Sequence, residues 1–250
     1  MEQQEGNPIV QAVERALKHE PRVDLGHHPL RLAFDGDVLT MDGELEDISA
    51  KKLALEIAAS VPNISGIVDR LRVEPAQRLP DERLLPLVAD ALLQEPALQP
   101  FTLTTRRGRR IELLRARSRD TRGFIEVRTQ AGVVTLDGEV SSLAGKRLAG
   151  VLAWWVPGTR DVVNGLGLSP PEEDNDEEIT DAVSIVLSKD PFVNAGQLRV
   201  HTHRGVVTLE GLVHSDAERE MAEYDAWYVF GVDRVENHVR VVPRLVYVGA

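Results

Sequence analysis

The chain contains no cysteine. Disulfides, thiolate nucleophiles and cysteine-held zinc are thereby excluded, and the absence fits an oxidising or a reducing compartment equally. Aromatic residues make up only 4% of its 250 positions. Long apolar runs are missing too. The longest, AGVLAWWV at 149–156, stops at Pro157, far short of the ~20 residues that a bilayer-crossing helix needs. The opening MEQQEGNPIV has neither the basic nor the apolar region of a secretory signal, so a cytoplasmic location is the expectation. No G-x-S-x-G, H-E-x-x-H or P-loop lysine motif occurs, and no enzymatic activity or cofactor is expected. What is present, 42% hydrophobic and 28% charged residues, is the composition of a globular protein.

Charge is plentiful but uneven. Eight arginines against Glu112 and Asp120 give positions 100–122 a local net of +6, which leaves −17 on the rest of a chain whose total is −11. That total disfavours general affinity for nucleic acid or anionic lipid. The local excess invites an anionic partner.

One phrase occurs three times: DVLTMDGEL at 37–45, GVVTLDGEV at 132–140 and GVVTLEGLV at 205–213. Counted from its glycines, Gly43, Gly138 and Gly211, a valine follows after 18 residues (Val61, Val156, Val229) and Asp69, Asn164 or Asn237 after 26. A fixed spacing of this kind marks structural repeats. Upstream of each phrase, apolar residues recur at i, i+4, i+7 and i+8: Ile9, Val13, Ala16, Leu17; Leu84, Val88, Ala91, Leu92; Ile179, Val183, Val186, Leu187. These lie on one helical face, and Pro21, Pro96 and Pro191 close the helices. Alternation then takes over, Leu30 and Leu32 before Leu39 and Met41 in the first copy, which predicts a β-hairpin with one buried face. The glycine of the phrase is expected to let the backbone turn out toward a second helix. A last alternating segment ends each copy. The fold class is α+β: three tandem two-layer α-β-β-α-β units at 7–74, 81–168 and 176–243, with a tail at 244–250. Proline-bearing polar linkers, EPAQRLP and SPPEEDN, separate them.

The unit resembles the BON domain, named after bacterial osmotically induced and nodulation proteins. The residues that carry the resemblance are GVVTLDGEV, the alanine-rich second helix, and the closing segments VPGTRDVVNGLGL and VFGVDRVENHVRV. The resemblance implies non-enzymatic binding modules, linked to osmotic stress and to anionic phospholipid at the bacterial envelope. This chain departs from the pattern in three ways. It is expected to lack an export signal, adds a third copy, and places about 22 extra residues in the second, where Pro96 to Gly138 spans 42 positions against 20 from Pro191 to Gly211.

Four features are candidates for binding. The insertion carries Arg106, Arg107, Arg109, Arg110, Arg115, Arg117, Arg119 and Arg122, whose forked guanidinium groups suit carboxylates and phosphates. They can pair with the protein's own acidic surface, with a neighbouring subunit or with lipid headgroups. No aromatic stands among them to stack a base, so nucleic acid is disfavoured. Trp154-Trp155 and Trp227-Tyr228 end the second helices of two copies, where the first has Ala59-Ser60. Neighbours on a helix point about 100° apart, so one of each pair faces the core and the other a junction, a subunit contact or a membrane interface. His201, His203 and His238 lie on outward strand faces and converge on a metal only if their strands are neighbours. Matching positions hold Ala33 and Arg128, so a solvated cluster is favoured and no metal is expected. Gly165 and Gly167 bare one sheet face, against which the insertion, a neighbouring domain or a partner is expected to lie. Ser141, Ser142, Ser184 and Ser215 stand at or in helices and need no catalytic role, and the G-x-x-G loop of KH domains is absent.

These readings combine into one expectation: a binding or scaffold protein that assembles with itself or with another protein, with a stress response as the context the resemblance implies. The alternative is a peripheral membrane adaptor that meets anionic phospholipid through the insertion.

Overall fold

A computed structural model describes residues 6–116 and 123–242. Arg117, Arg119 and Arg122 and the tail at 244–250 fall outside the described residues. The chain divides into two compact units, Met1–Ala76 and Gln77–Ala250.

In the first unit, helix α1 (Pro8–Leu17) starts where the Asn7 side chain accepts from the Ile9 N–H at 2.8 Å, with proline in the first turn. Such a start satisfies an orphan donor and loses nothing by lacking an N–H. Strands β1 (Arg31–Asp35) and β2 (Val38–Leu45) form the hairpin, and helix α2 (Ile48–Ala59), capped by Asp47, leads to β3 (Gly66–Val73). β2 is central, antiparallel to β1 and parallel to β3. The inward residues of the hairpin's second strand, Leu39, Met41 and Leu45, are fully buried against Val13 and Leu17 of α1 and Ala54 and Ala58 of α2. Period-two and period-3.6 apolar faces thus meet in one two-layer core.

The second unit holds the same order twice. Helix α3 (Asp81–Gln94) is followed by a 3-10 turn at Pro96–Leu98, then β4 (Thr102–Arg107), β5 (Arg110–Arg115), β6 (Phe124–Gln130), β7 (Val133–Val140), α4 (Leu143–Trp154) and β8 (Asp161–Leu168). After it come α5 (Asp176–Lys189), β9 (Leu198–His203), β10 (Val206–Val213), α6 (Asp216–Tyr228) and β11 (Arg234–Val241). Ser142, Asn175 and Ser215 cap α4, α5 and α6 through their side-chain oxygens. Ser184 lies inside α5 and donates to the Thr180 carbonyl. The third sheet runs β11-β10-β9, and the second has five strands in the order β5-β4-β6-β7-β8.

The insertion is therefore a hairpin. β4 pairs in parallel with β6 and antiparallel with β5, so the extra segment widens the sheet at one edge. It does not lie over Gly165 and Gly167, which sit on β8 at the opposite edge.

The glycine of the repeated phrase also has a different reason from the one its sequence position suggests. Gly138 and Gly211 are inside β7 and β10, not at an exit. A Cβ at Gly138 would stand 2.0 Å from the Phe124 carbonyl oxygen, and one at Gly211 would stand 2.1 Å from that of Gln197, with φ at +135° and +141°. The close approach of the hairpin's first strand excludes every side chain there.

Candidate interaction surfaces

The insertion's arginines divide into two groups. Arg106 donates from Nε and Nη2 to the two oxygens of Glu126 on β6, at 2.5 and 2.8 Å. This two-pronged bond holds its guanidinium pKa above the ordinary value. Arg115 turns inward and donates to the carbonyls of Leu93, Leu98 and Phe101 at 3.2, 2.6 and 3.2 Å. Those oxygens end α3 and the 3-10 turn, where unpaired carbonyls collect negative potential. Burial lowers the Arg115 pKa. Both residues pin the hairpin to its own unit.

Arg107, Arg109 and Arg110 do the opposite. They are exposed at the hairpin tip and have no ion-pair partner among the described residues. Arg107 and Arg110 face each other directly across the strands, and like charges so placed repel. A cleft of about 500 Å³ between the tip and the start of α3 is lined in part by Asp81, Glu82, Arg106 and Arg107. Asp81 is already engaged, since its carboxylate accepts the Ala131 and Gly132 N–H groups at 2.7 and 3.0 Å.

The aromatic helix ends lie where the second and third copies meet. The Trp154 and Tyr228 rings stack at 5.5 Å between centroids and 20° between planes. Trp155 donates from Nε1 to Asp225 Oδ1 at 2.9 Å. Trp227 is buried. Polar groups complete this junction. The fully buried Arg147 donates to the Phe230 carbonyl at 2.8 Å and to Asp174 Oδ1 at 2.6 Å. Lys189 of α5 meets both oxygens of Glu95, and the Glu172 carboxylate accepts the Leu143 N–H at 2.7 Å. Asp225 is 1% exposed, and burial with the nearby Asp190 carboxylate pushes its pKa up to about 8. Its second oxygen has no hydrogen-bond partner among the described residues.

The histidines do not converge. β10 lies between β9 and β11, with Thr208 beside His201, Val206 beside His203, and Glu210 between Arg199 and His238. Strands spaced by ~4.8 Å leave the backbones of outer partners about 10 Å apart. No set of three metal-binding side chains gathers among the described residues. Gly165 and Gly167 remain exposed. Among the described residues, no helix is long and apolar enough to cross a membrane.

Sequence reading missed Arg147, Lys189, Glu95 and Asp225. A charged residue inside the apolar stretch LAGKRLAGVLAWW was the available signal, because a buried arginine demands acceptors from elsewhere in the fold. Nothing in the order of residues names those acceptors.

Comparison with known proteins agrees with the repeat pattern. The BON domain family model matches residues 111–170 and 175–243. Osmotically-inducible protein Y of Escherichia coli is 34% identical over 122 residues, which are 46% of this chain and 61% of that protein. The chain thus spans about three fifths of the length of that relative. Two structures of CdsD, a structural protein of the type III secretion system of Chlamydia trachomatis, align over 94% and 95% of this chain and 98% and 93% of their own. Their identities are 12% and 13% and their TM-scores 0.25, so they carry no argument about fold or role. The family model covers just over half of the chain, on β-hairpins, second helices and closing strands that pack as described, and the chain belongs to the BON domain family.

Proposed function

We propose that this chain is a non-enzymatic binding protein of the osmotic-stress response, built from three BON-like units. It acts by holding a protein partner, itself or another, at the hairpin of the second copy. One observation carries this reading: Arg107, Arg109 and Arg110 stand exposed, with no ion-pair partner among the described residues, at the tip of a hairpin pinned by Arg106 and Arg115. On a chain of net charge −11, a fixed cationic point selects acidic partners and directs their approach. The name of the Escherichia coli relative supports the osmotic context. The buried polar groups of the second unit join its two copies.

The test is association measured by light-scattering mass after size exclusion, at low and at high salt, alone and with candidate acidic proteins. The reading expects complexes that salt dissolves and that the triple variant R107E/R109E/R110E no longer forms. A mass of one chain under every condition, with no acidic protein retained, would remove it.

A further inference from the structure

β5 is the outermost strand of the five-stranded sheet, so one row of its backbone N–H and C=O groups has no strand partner among the described residues. Such an edge is a template for another strand. Natural edges are often protected by a bulge, proline or cover. β5 has one register shift, opposite Leu103 and Thr104, that sets Leu114 out of step. Before it the strand has no proline, and no described residue covers its apolar side chains: Ile111 is 52% exposed and Leu113 61%. The register places Ile111 beside Arg106 and Leu113 beside Thr104, on the sheet face away from the helices that bury Leu103 and Thr105. At the tip of the same hairpin stand Arg107, Arg109 and Arg110, which have no ion-pair partner among the described residues.

We propose that β5 is the docking edge for an extended acidic segment of a partner protein, added to the sheet as a further strand. The inference rests on the reading of the hairpin as the binding surface and assigns the chemistry of its occupant. Main-chain bonds along the regular part of the strand, Arg110–Leu113, roughly 13 Å, supply affinity. Alternate apolar side chains of the incoming strand cover Ile111 and Leu113, and its carboxylates meet Arg107, Arg109 and Arg110. This is β-strand addition, in which the backbone gives binding and the alternating side chains give selectivity. The hairpin is pre-organised for it, because Arg115 holds three carbonyls and Arg106 a carboxylate, which lowers the ordering cost of binding. β5 pairing with the β5 of a second copy fits less well, since it would bring two such arginine clusters together against their mutual repulsion.

The probe is a fluorescent peptide of alternating glutamate and valine, titrated by anisotropy into the full chain. Three comparisons accompany it: the same peptide with alternate backbone nitrogens methylated, a lysine-valine counterpart, and anionic phosphatidylglycerol vesicles in a flotation assay. The expected result is salt-sensitive binding of the glutamate peptide. N-methylation should weaken it on the order of tenfold, about 1.4 kcal/mol, with a similar loss in R107E/R109E/R110E and no binding of the lysine peptide. Equal binding of the methylated and unmethylated peptides overturns strand addition while leaving a charge-driven assembly surface in place. Flotation with vesicles and no peptide binding also overturns it, and makes the tip a headgroup contact. Because the methylation comparison uses the unaltered protein, it does not depend on how any variant folds.

Discussion

The first copy and the two that follow solve one structural problem with different atoms. In the second and third copies, Asn164 and Asn237 on the closing strands donate to the helix carbonyls of Lys146 and Arg219, at 2.7 and 3.1 Å. The other side-chain oxygen accepts from the strand's own backbone. The first copy has Asp69 there, and a carboxylate cannot donate. Lys51, at the position of Lys146, takes over. Its ammonium is buried, meets Asp69 at 3.0 Å and donates to the Leu71 carbonyl at 3.1 Å. A second difference concerns the hairpin turn. Asp81 and Asp176, at the starts of α3 and α5, each clamp two turn N–H groups. At Asp176 those bonds hold the carboxyl pKa below its ordinary value. In the first copy the matching position, three before Ile9, is Gly6, and α1 starts at Pro8 after an Asn7 cap. The third difference is the junction. The copies with Trp154-Trp155 and Trp227-Tyr228 join through them into one compact unit, whereas the copy with Ala59-Ser60 forms a unit of its own. The order of hairpin and closing strand is common to all three.

The largest expected effect breaks the comparison at the shared glycine. In Gly138→Ala the new methyl meets a backbone carbonyl at 2.0 Å, while in Gly43→Ala it meets the flexible end of Leu30 at 2.6 Å. We expect a loss of roughly 4 kcal/mol for Gly138→Ala and about half that for Gly43→Ala. All three tryptophans lie in the second unit, so their fluorescence in urea reads Gly138→Ala without interference. Circular dichroism reads Gly43→Ala. Equal losses would mean that the surrounding backbone relaxes equally in both copies.

Next comes the junction's buried acid. Asp225 keeps its proton up to about pH 8 in the folded chain and loses it near pH 3.9 when unfolded. The native state therefore binds the extra proton between those values, and stability of the second unit falls as pH rises through that window. Asp225→Asn cannot ionise. It should abolish the slope and raise stability above pH 8 by a few kcal/mol, read from urea midpoints of the tryptophan signal. A slope unchanged in the variant would place the titration elsewhere.

A smaller effect sharpens the first difference. Lys51→Met leaves the carboxylate of Asp69 without its cation and should cost roughly 2 kcal/mol. The double change Lys51→Met with Asp69→Asn imports the solution of the other copies and should recover most of the loss. A double-mutant cycle by circular dichroism gives the coupling. Purely additive losses would show that the two residues act separately.

The smallest effect is at the tip. Arg107→Glu removes a like-charge pair facing Arg110 and should stabilise the second unit by about 0.5 kcal/mol while weakening acidic partners. A variant that is destabilised by that amount would mean that the arginines are compensated within the fold.

Much of this architecture was legible in the sequence. The phrase around Gly43, Gly138 and Gly211, with its alternating and helical flanks, specified three sheets and six helices, because side-chain period follows directly from backbone geometry. The insertion's length and charge could be read as well. Its conformation could not, since a hairpin that extends a sheet is decided by β6 accepting a parallel neighbour. The two roles of its arginines were equally hidden. Arg115 and Arg107 look alike in a string, yet one meets three carbonyls and the other meets none of the described acceptors. For His201, His203 and His238 alternation showed outward faces but not strand order, and in the sheet β10 lies between their strands.

The central claim is that β5 is an open edge held ready for an acidic strand. Residue-resolved amide hydrogen exchange, with and without the glutamate-valine peptide, tests it most directly. The account predicts fast exchange at outward amides of Arg110–Arg115 in the free chain and marked slowing when the peptide is added. The edge strands β1 and β9 should not change. Slowing spread evenly over all three sheets, or none at β5 while the peptide is bound, would contradict it.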